Sequence, residues 1–519
     1  MQSNECEDFW KAMDLEIEQL QNRNAWTIID QEEATKAGEK VIGSTWAFRR
    51  KRYPDGRVKK LKARICARGD QQVKGIDVFD TFSPVVSWST VRLMLILSVA
   101  LNLVTVQVDY DNAFVQAELK EPVYMEIPRG YRVQGKILRL NKSLYGLRTS
   151  SKNFFDKLTI GMKKQGFEPS ERDPCLFLHK KRRMACVAWV DDQIYFAFNE
   201  QDITDVLNGM EKDFDLHRES DVAGFLGIDI RKNEDGTIEL LQTGLIDRII
   251  SALALEDAKI KDTPADIKPL GKDENGEPRL EEWSFASVIG MMLYLQNNSR
   301  PDIAFAVNQC ARFSRDPRKS HEVALKRIGR YLKGTRTRGM LINPKMDLNL
   351  DCYADADFAG LWTYENPHDT ISVKSRTGYI MTLGGAPVIW ASKMQTEIAM
   401  STMEAEYIAV STAMKELIPL REVLADILKI FQLQRDPISS ISTVWEDNQA
   451  CLILANTPPP RMTPRSKHIA IKYHWFRSHI SPDSIVVKKI DTLEQKADIL
   501  TKGLGNQAFQ RIRHLILGW

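Results

Sequence analysis

Polar and apolar positions along this chain fall into two periods. Residues 9 to 20 set Trp10, Met13, Ile17 and Leu20 at helical spacing, which predicts a short amphipathic helix whose role is packing. Val104, Val106 and Val108 alternate with Thr105, Gln107 and Asp109, which predicts a strand with one core face and Asp109 ending the other. In Val187 to Phe196 two apolar runs meet at Asp191-Asp192, so a hairpin would carry two carboxylates at its tight turn. Leu348, Leu350 and Cys352 alternate with Asn349, Asp351, Tyr353 and Asp355, so Asp355 closes the polar face of another strand. Val444-Trp445-Glu446-Asp447 ends a further strand at Asp447, just before a helical Asn448 to Ala455. Between these, Ser401-Thr402-Met403-Glu404 reads as a capping box, which gives Glu404 a structural task and leaves Glu406 as the free carboxylate of that helix. Thr492-Leu493-Glu494-Gln495 reads as a second capping box and places Asp498 early in the final helix.

A chain of 519 residues is too long for one core and implies about three or four domains. Glu256 to Glu282 is charged, rich in Pro and Gly and without apolar period, which makes it the clearest linker. Helices follow through Arg300 to Ala304 and from Leu325 to Lys333, the latter ending at Gly334. No period recurs, which excludes a helical-repeat protein. No signal peptide is visible in the acidic, polar first residues, and the most apolar run, Leu93 to Val108, is broken by Asn102 and Gln107 and short for a membrane span. Seven cysteines without a Cys-x-x-Cys pair argue against structural zinc and a disulfide framework, and for a reducing, intracellular compartment.

The net charge of +3 is uninformative, but nine Lys or Arg lie between Arg49 and Arg64 against one acid, Asp55, around a Pro54-Asp55-Gly56 turn. The ordinary fate of such a run is a solvated hairpin; a grip on phosphates needs cations in these numbers too. A second stretch, Arg461 to Lys489, has seven Lys or Arg and one acid, Asp483, and offers the same two readings. Adjacent Asp191 and Asp192 in an apolar setting repel unless a cation shares them, and a divalent metal is the natural guest. Asp357 rivals Asp355, but the strand phase favours Asp355. His468, His474 and His479 lack a partner ligand motif and read as surface or packing residues.

Asp109 with Phe114, followed by Trp189-Val190-Asp191-Asp192, resembles the palm of a reverse transcriptase. Lys62 to Gly69 (KARICARG), Thr81 to Val86 (TFSPVV) and Leu140 to Leu147 (LNKSLYGL) resemble the Ty1/copia class of retrotransposons, and the likeness runs from about Cys6 to the C-terminus. The resemblance implies an α+β and α/β multidomain fold: a right-hand polymerase of fingers, palm and thumb, a helical connection and a ribonuclease H-like domain. The corresponding boundaries are 1–40 for an N-terminal helical lead-in, 41–255 for fingers, palm and thumb, 256–282 for the linker, 283–345 for the connection and 346–519 for the ribonuclease H-like domain. It implies an RNA-directed DNA polymerase with ribonuclease H activity on RNA/DNA hybrids. The alternative is a decayed or repurposed fragment of such an element that binds nucleic acid without catalysis.

By the same resemblance, Asp109, Asp191 and Asp192 would hold metal in the palm, and Asp355, Glu406, Asp447 and Asp498 in the nuclease. The cofactor implied is Mg²⁺, two per site, with Mn²⁺ as a substitute. Arg64 and Lys62, supported by Lys60, would meet the triphosphate beside Tyr145 and Gly146. Phe114 would crowd a ribose 2′-hydroxyl and so select deoxynucleotides. Phe225-Leu226-Gly227 resembles the primer grip, with a thumb helix reaching about Leu255. Partners implied are RNA template, DNA primer, RNA/DNA hybrid and dNTPs, with no membrane; oligomeric state stays open, as does a site in a cytoplasmic particle or the nucleus. The chain is read either as the C-terminal product of a longer polyprotein or as a genomic fragment. Two departures stand out: Trp189 where the family has tyrosine, and Arg148-Thr149-Ser150-Ser151-Lys152 where it has Lys-Gln-Ala-Pro-Arg.

Overall fold

The computed structural model describes residues 5–36, 38–52, 58–73, 75, 81–219, 222–279, 283–362, 370–433, 441–461, 468–469 and 471–519. The Pro54-Asp55-Gly56 turn and part of the second basic stretch, 462–467, lie outside them. The chain divides into two compact units, one of residues 1–86 with 105–221, the other of 87–104 with 222–519.

In the first unit the expected amphipathic helix is Cys6–Asn22, but its buried stripe is Phe9, Met13, Glu16 and Leu20. Phe9 and Glu16 thus join the buried stripe, Ile17 packs half-buried against the same core, and Trp10 is exposed. Leu20 joins a core with Ala25, Ile42, Ile65, Met125 and Leu140. A four-stranded sheet runs Trp26–Asp30, Lys136–Lys142, Glu118–Met125, Val41–Ile42. The basic segment is an antiparallel ribbon of Ser44–Arg52 and Val58–Ala67. A six-stranded sheet carries the chemistry, in the order Leu216–Glu219, Val104–Tyr110, Asp192–Ala197, Met184–Trp189, Leu176–His179, Glu168–Pro169. The Val104–Tyr110 strand departs from expectation: Thr105 and Gln107 are buried as well as the valines, and only Asp109 is exposed. An interior strand covered on both faces reads the same from either side, so alternation exaggerated its polar face.

The second unit begins with helix Trp88–Ala100, buried from Thr90 to Ser98. The apolar run of the sequence is thus a buried helix joined to a strand, and among the described residues no helix is long and apolar enough to cross a membrane. Gly224–Phe225 and Ile228–Lys232 form a hairpin within a four-stranded sheet completed by Ile238–Leu241 and Met340–Ile342. Leu226 (φ 52°) and Gly227 (φ 77°) make its two-residue turn, the left-handed pair that matches strand twist. Helices Thr243–Ala252, Phe285–Asn298, Ala304–Ala311 and Lys319–Gly334 follow. Among the described residues of 256–279 there is no helix or strand, but the stretch is tied down: Lys333 donates to the Ala258 carbonyl at 2.8 Å and Arg327 to the Thr263 hydroxyl at 2.9 Å.

A five-stranded sheet fills the C-terminal third in the order Ala386–Met394, Arg376–Leu383, Leu350–Asp357, Ser442–Glu446, Ile485–Lys489. The first three pair antiparallel and the last two join in parallel. Helix Thr402–Ile430 packs on Leu350–Asp357, which puts its first turns beside Asp355. Ser401 Oγ accepts from the Glu404 amide at 3.2 Å, as a cap should, while Glu404 reaches the amide of Met400 at 2.7 Å instead of closing the box on Ser401. The second capping box fails. Asp491, one residue earlier, caps a single 3₁₀ turn, Thr492–Glu494, and Asp498 opens a separate four-residue helix, Asp498–Thr501, ahead of the final helix Asn506–Leu517. Asp491 accepts from the Leu493 amide at 2.8 Å and so outcompetes Thr492 for the cap.

Candidate active sites

The Val187–Phe196 hairpin forms as the alternation required. Trp189 pairs with Asp192, leaving Val190 and Asp191 as the turn, with Val190 at φ 54°. A β-branched residue in the left-handed region is strained, and the strain fixes where the two aspartates emerge. The turn is tied to the neighbouring strand by the Tyr110 amide, which donates to the Asp191 carbonyl at 3.2 Å. Beneath it the Tyr110 and Tyr195 hydroxyls both donate to Gln193 Oε1, at 2.9 and 2.8 Å. This buried trio links the strand of Asp109 to the strand of Asp192.

Asp109, Asp191 and Asp192 line one cavity of about 310 Å³ with Arg49, Lys60, Lys62, Arg64 and Tyr145. Asp109 is exposed and the other two half-buried, and their carboxylates do not converge as a compact trio. Arg64 lies over the Tyr145 ring at 4.7 Å, and Phe114 meets the same ring edge-on at 4.9 Å. Arg64, Tyr145 and Phe114 are thus one stack. Gly146 backs it for a steric reason: its φ is 90°, and a Cβ there would sit 2.2 Å from the Ala67 carbonyl oxygen. The Ala67 amide donates to the Tyr145 carbonyl at 2.7 Å, which joins the ribbon to this loop. In the departing segment, Arg148 donates to the Gly69 carbonyl at 2.7 Å and the Ser150 hydroxyl to the Leu144 carbonyl at 2.6 Å. Its residues hold the loop in place.

The same cavity holds a residue that sequence reading missed. Glu16 of the first helix lines it, 3% exposed. The one available signal was a carboxylate spaced three from Met13 and four from Leu20, on the stripe that pattern reserves for apolar side chains.

In the second unit Asp355, Glu406 and Asp447 each offer an oxygen, and these oxygens lie within 4.8 Å of one another. Asp355 comes from a strand, Glu406 from the helix packed on it, and Asp447 from the end of the parallel neighbour. Asp355 is 2% exposed and accepts from the Thr501 hydroxyl, whereas Asp357, on the same face at the end of the strand, is half-buried. Asp498 is beside but outside the trio, held by Lys502 at 2.7 Å; Lys502 also reaches Asp355 at 3.9 Å. Burial raises the Asp355 carboxyl above its usual range and, with Asp355 next to it, pushes Glu406 well above. Burial followed by Asp355 raises Asp498 to about 7. Lys502 is raised because Asp355 and Asp498 outweigh its own burial.

Glu446 was overlooked. It shares the inward face of Ser442–Glu446 with Ser442 and Val444, is fully buried, and is pushed well above its usual range by burial. Its Oε1 accepts from the Asn448 amide at 3.0 Å; its Oε2 and Glu406 Oε2 are buried without a hydrogen-bond partner. Convergent, partly orphaned carboxylate oxygens with no sulfur or imidazole among them fit a hard divalent cation. His474 lies apart from this donor set, against the Tyr407 hydroxyl at 2.9 Å, in the packing role expected.

Residues 23–267 match the family model described as reverse transcriptase (RNA-dependent DNA polymerase). Over 98% of its length the chain is 32% identical to the retrovirus-related Pol polyprotein from transposon TNT 1-94 of Nicotiana tabacum, and over 98% it is 30% identical to that from transposon RE2 of Arabidopsis thaliana. It spans 37% and 34% of those relatives. A foamy viral protease-reverse transcriptase solved with double-stranded DNA superposes with a TM-score of 0.49 at 14% identity, covering 93% of this chain and 69% of that one. The family match and the sequence relatives agree that residues 23–267 are a reverse transcriptase domain of the copia type, in a chain similar along its length to retrotransposon Pol polyproteins.

Proposed function

We propose that this chain is an RNA-directed DNA polymerase with a second site that cleaves the RNA strand of RNA/DNA hybrids. The observation that carries the first activity is one cavity bordered by Asp109, Asp191 and Asp192 on one side and by Lys60, Lys62 and Arg64 on the other. Displacement at phosphorus is chiefly a matter of positioning and charge neutralisation, and this cavity offers both signs of charge a few side chains apart. Lys62 and Arg64 bind the triphosphate of an incoming dNTP, Tyr145 supports Arg64 from below, and Phe114 stands where a ribose 2′-hydroxyl would clash. Asp109 and Asp191 bind metal, and Asp192 supports them. The Phe225-Leu226-Gly227 turn holds the primer strand.

In the second site Asp355, Glu406 and Asp447 hold metal, Asp498 completes the set, and Lys502 keeps Asp498 and Asp355 oriented. Mg²⁺ in pairs, when bound, neutralises charge on the reacting phosphate and activates the attacking oxygen. The unpartnered Glu406 oxygen supports a cation there. The segments 1–40, 41–255, 256–282, 283–345 and 346–519 are retained as lead-in, polymerase, linker, connection and nuclease.

The test is primer extension on an RNA template with Mg²⁺ and dNTPs, with RNA cleavage read from the same labelled hybrid, for the parent, Asp191→Asn and Asp447→Asn. Extension lost only in Asp191→Asn and cleavage lost only in Asp447→Asn is the expected pattern. A folded parent that binds hybrid but performs neither reaction would replace this reading with a nucleic-acid-binding one.

A further inference from the structure

The N-terminal helix Cys6–Asn22 buries a carboxylate where its stripe calls for a hydrophobe. Nothing in the packing of Phe9, Met13 and Leu20 requires it, and burial alone disfavours a charge. What the position offers is its neighbours. Glu16 accepts from the amide of Ile65 at 3.4 Å, on the same strand, Val58–Ala67, that carries Lys62 and Arg64. Both cations act on Glu16 to favour its charged form, against a burial that raises it. Glu16, Lys62 and Arg64 all line the cavity of Asp109 and Asp191. Arg64 has a buried Nε without a hydrogen-bond partner, and its guanidinium lies over the Tyr145 ring at 4.7 Å.

We propose that Glu16 is a positioning residue, which holds Lys62 and Arg64 toward the cavity and thereby sets affinity for the triphosphate of the incoming nucleotide. This rests on the polymerase reading. Glu16 acts through the two cations and touches neither primer nor metal. Its loss therefore raises the nucleotide KM and leaves kcat and hybrid affinity alone. A purely structural carboxylate would instead lower the folded fraction, and with it kcat, at constant KM.

The experiment uses the full chain with an oligo(dT) primer on poly(rA), varying dTTP, for the parent, Glu16→Gln, Glu16→Asp and Glu16→Met. Glu16→Met suits the apolar stripe and keeps the test alive should the amide destabilise the helix. Expected for Glu16→Gln and Glu16→Met is a KM rise of roughly tenfold, the scale of losing a positioning partner, with kcat within about twofold and partial rescue in Glu16→Asp. Inhibition by inorganic tripolyphosphate should weaken by the same factor. An unchanged KM in a folded Glu16→Met overturns the proposal, and so does a lowered KM, which would make Glu16 a competing anion. Should the parent extend no primer, the polymerase reading fails separately. Calorimetric binding of tripolyphosphate to parent and Glu16→Met then decides: weaker binding in the variant supports the role of Glu16, and equal binding overturns it.

Discussion

Asp109, Asp191 and Asp192 border an open cavity shared with Lys62 and Arg64, whereas Asp355, Glu406 and Asp447 are drawn together with their oxygens within 4.8 Å. The first set faces cations of its own chain. The second faces mostly other acids, Glu446 and Asp498 included, and Lys502 opposes them. Like charges packed in low dielectric hold their protons or take a cation. The second site is therefore organised by the fold at a standing electrostatic cost, while the first sets its acids against cations of its own chain.

The contrast is broken most directly by removing one acid from each side. Asp191→Asn should lower primer extension by roughly 10²- to 10³-fold, the scale of losing one electrostatic stabiliser, with hybrid cleavage unchanged in the same gel. Asp447→Asn should do the reverse. Equal loss of both activities in either variant would mean that the two sites are not separate.

Metal removal and pH sharpen the comparison next. At saturating Mg²⁺, about 100 times its dissociation constant, the second unit should gain about 2.7 kcal/mol, measured as a rise in its thermal midpoint over EDTA. In EDTA its stability should fall as pH rises. The carboxyls of Asp355, Glu406, Glu446 and Asp498 are raised in the folded chain, so above the unfolded values of 3.8 to 4.5 the folded state holds protons that the unfolded state has released. That contribution is fully present below the unfolded values and is lost as pH rises through each raised value, which for Asp498 is about 7. A midpoint that rises over this range in EDTA would contradict the geometry.

Smaller effects probe how the first site is held. Gln193→Leu removes the acceptor shared by the Tyr110 and Tyr195 hydroxyls and should cost about 1–3 kcal/mol in urea unfolding, through buried donors left unmade. Val190→Gly should relieve the left-handed valine and, after the entropy of glycine is subtracted, change stability by about 1 kcal/mol or less. Its readout is extension, which should fall as Asp191 loses its fixed direction.

Much of this was legible in the chain because it is local. The Trp189-Val190-Asp191-Asp192 hairpin, the strands that carry Asp355 and lead into Asp447 and the helix of Glu406 each follow from period 2 or 3.6 plus a cap, although the first of these strands runs on to Asp357 and the second stops at Glu446. Where local signals competed, the reading slipped. Asp491 took the cap assigned to Thr492, and a strand buried on both faces hid Thr105 and Gln107 behind an apparent polar face. Glu16 was hidden because hydrophobicity ranks Ile17 above it. Glu446 was hidden because Asp447, its neighbour, already satisfied the pattern.

By itself, then, the sequence determined which residues carry charge, the period of each element, and the order in which the two constellations follow along the chain. Only the tertiary structure decided that Asp355, Glu406 and Asp447 meet while Asp109, Asp191 and Asp192 stand apart, and that Glu16 and Lys502 enter as partners. Periodicity is set by bond geometry within a few residues. Convergence depends on strand order and on helix packing between segments up to hundreds of residues apart, and no local pattern encodes that distance.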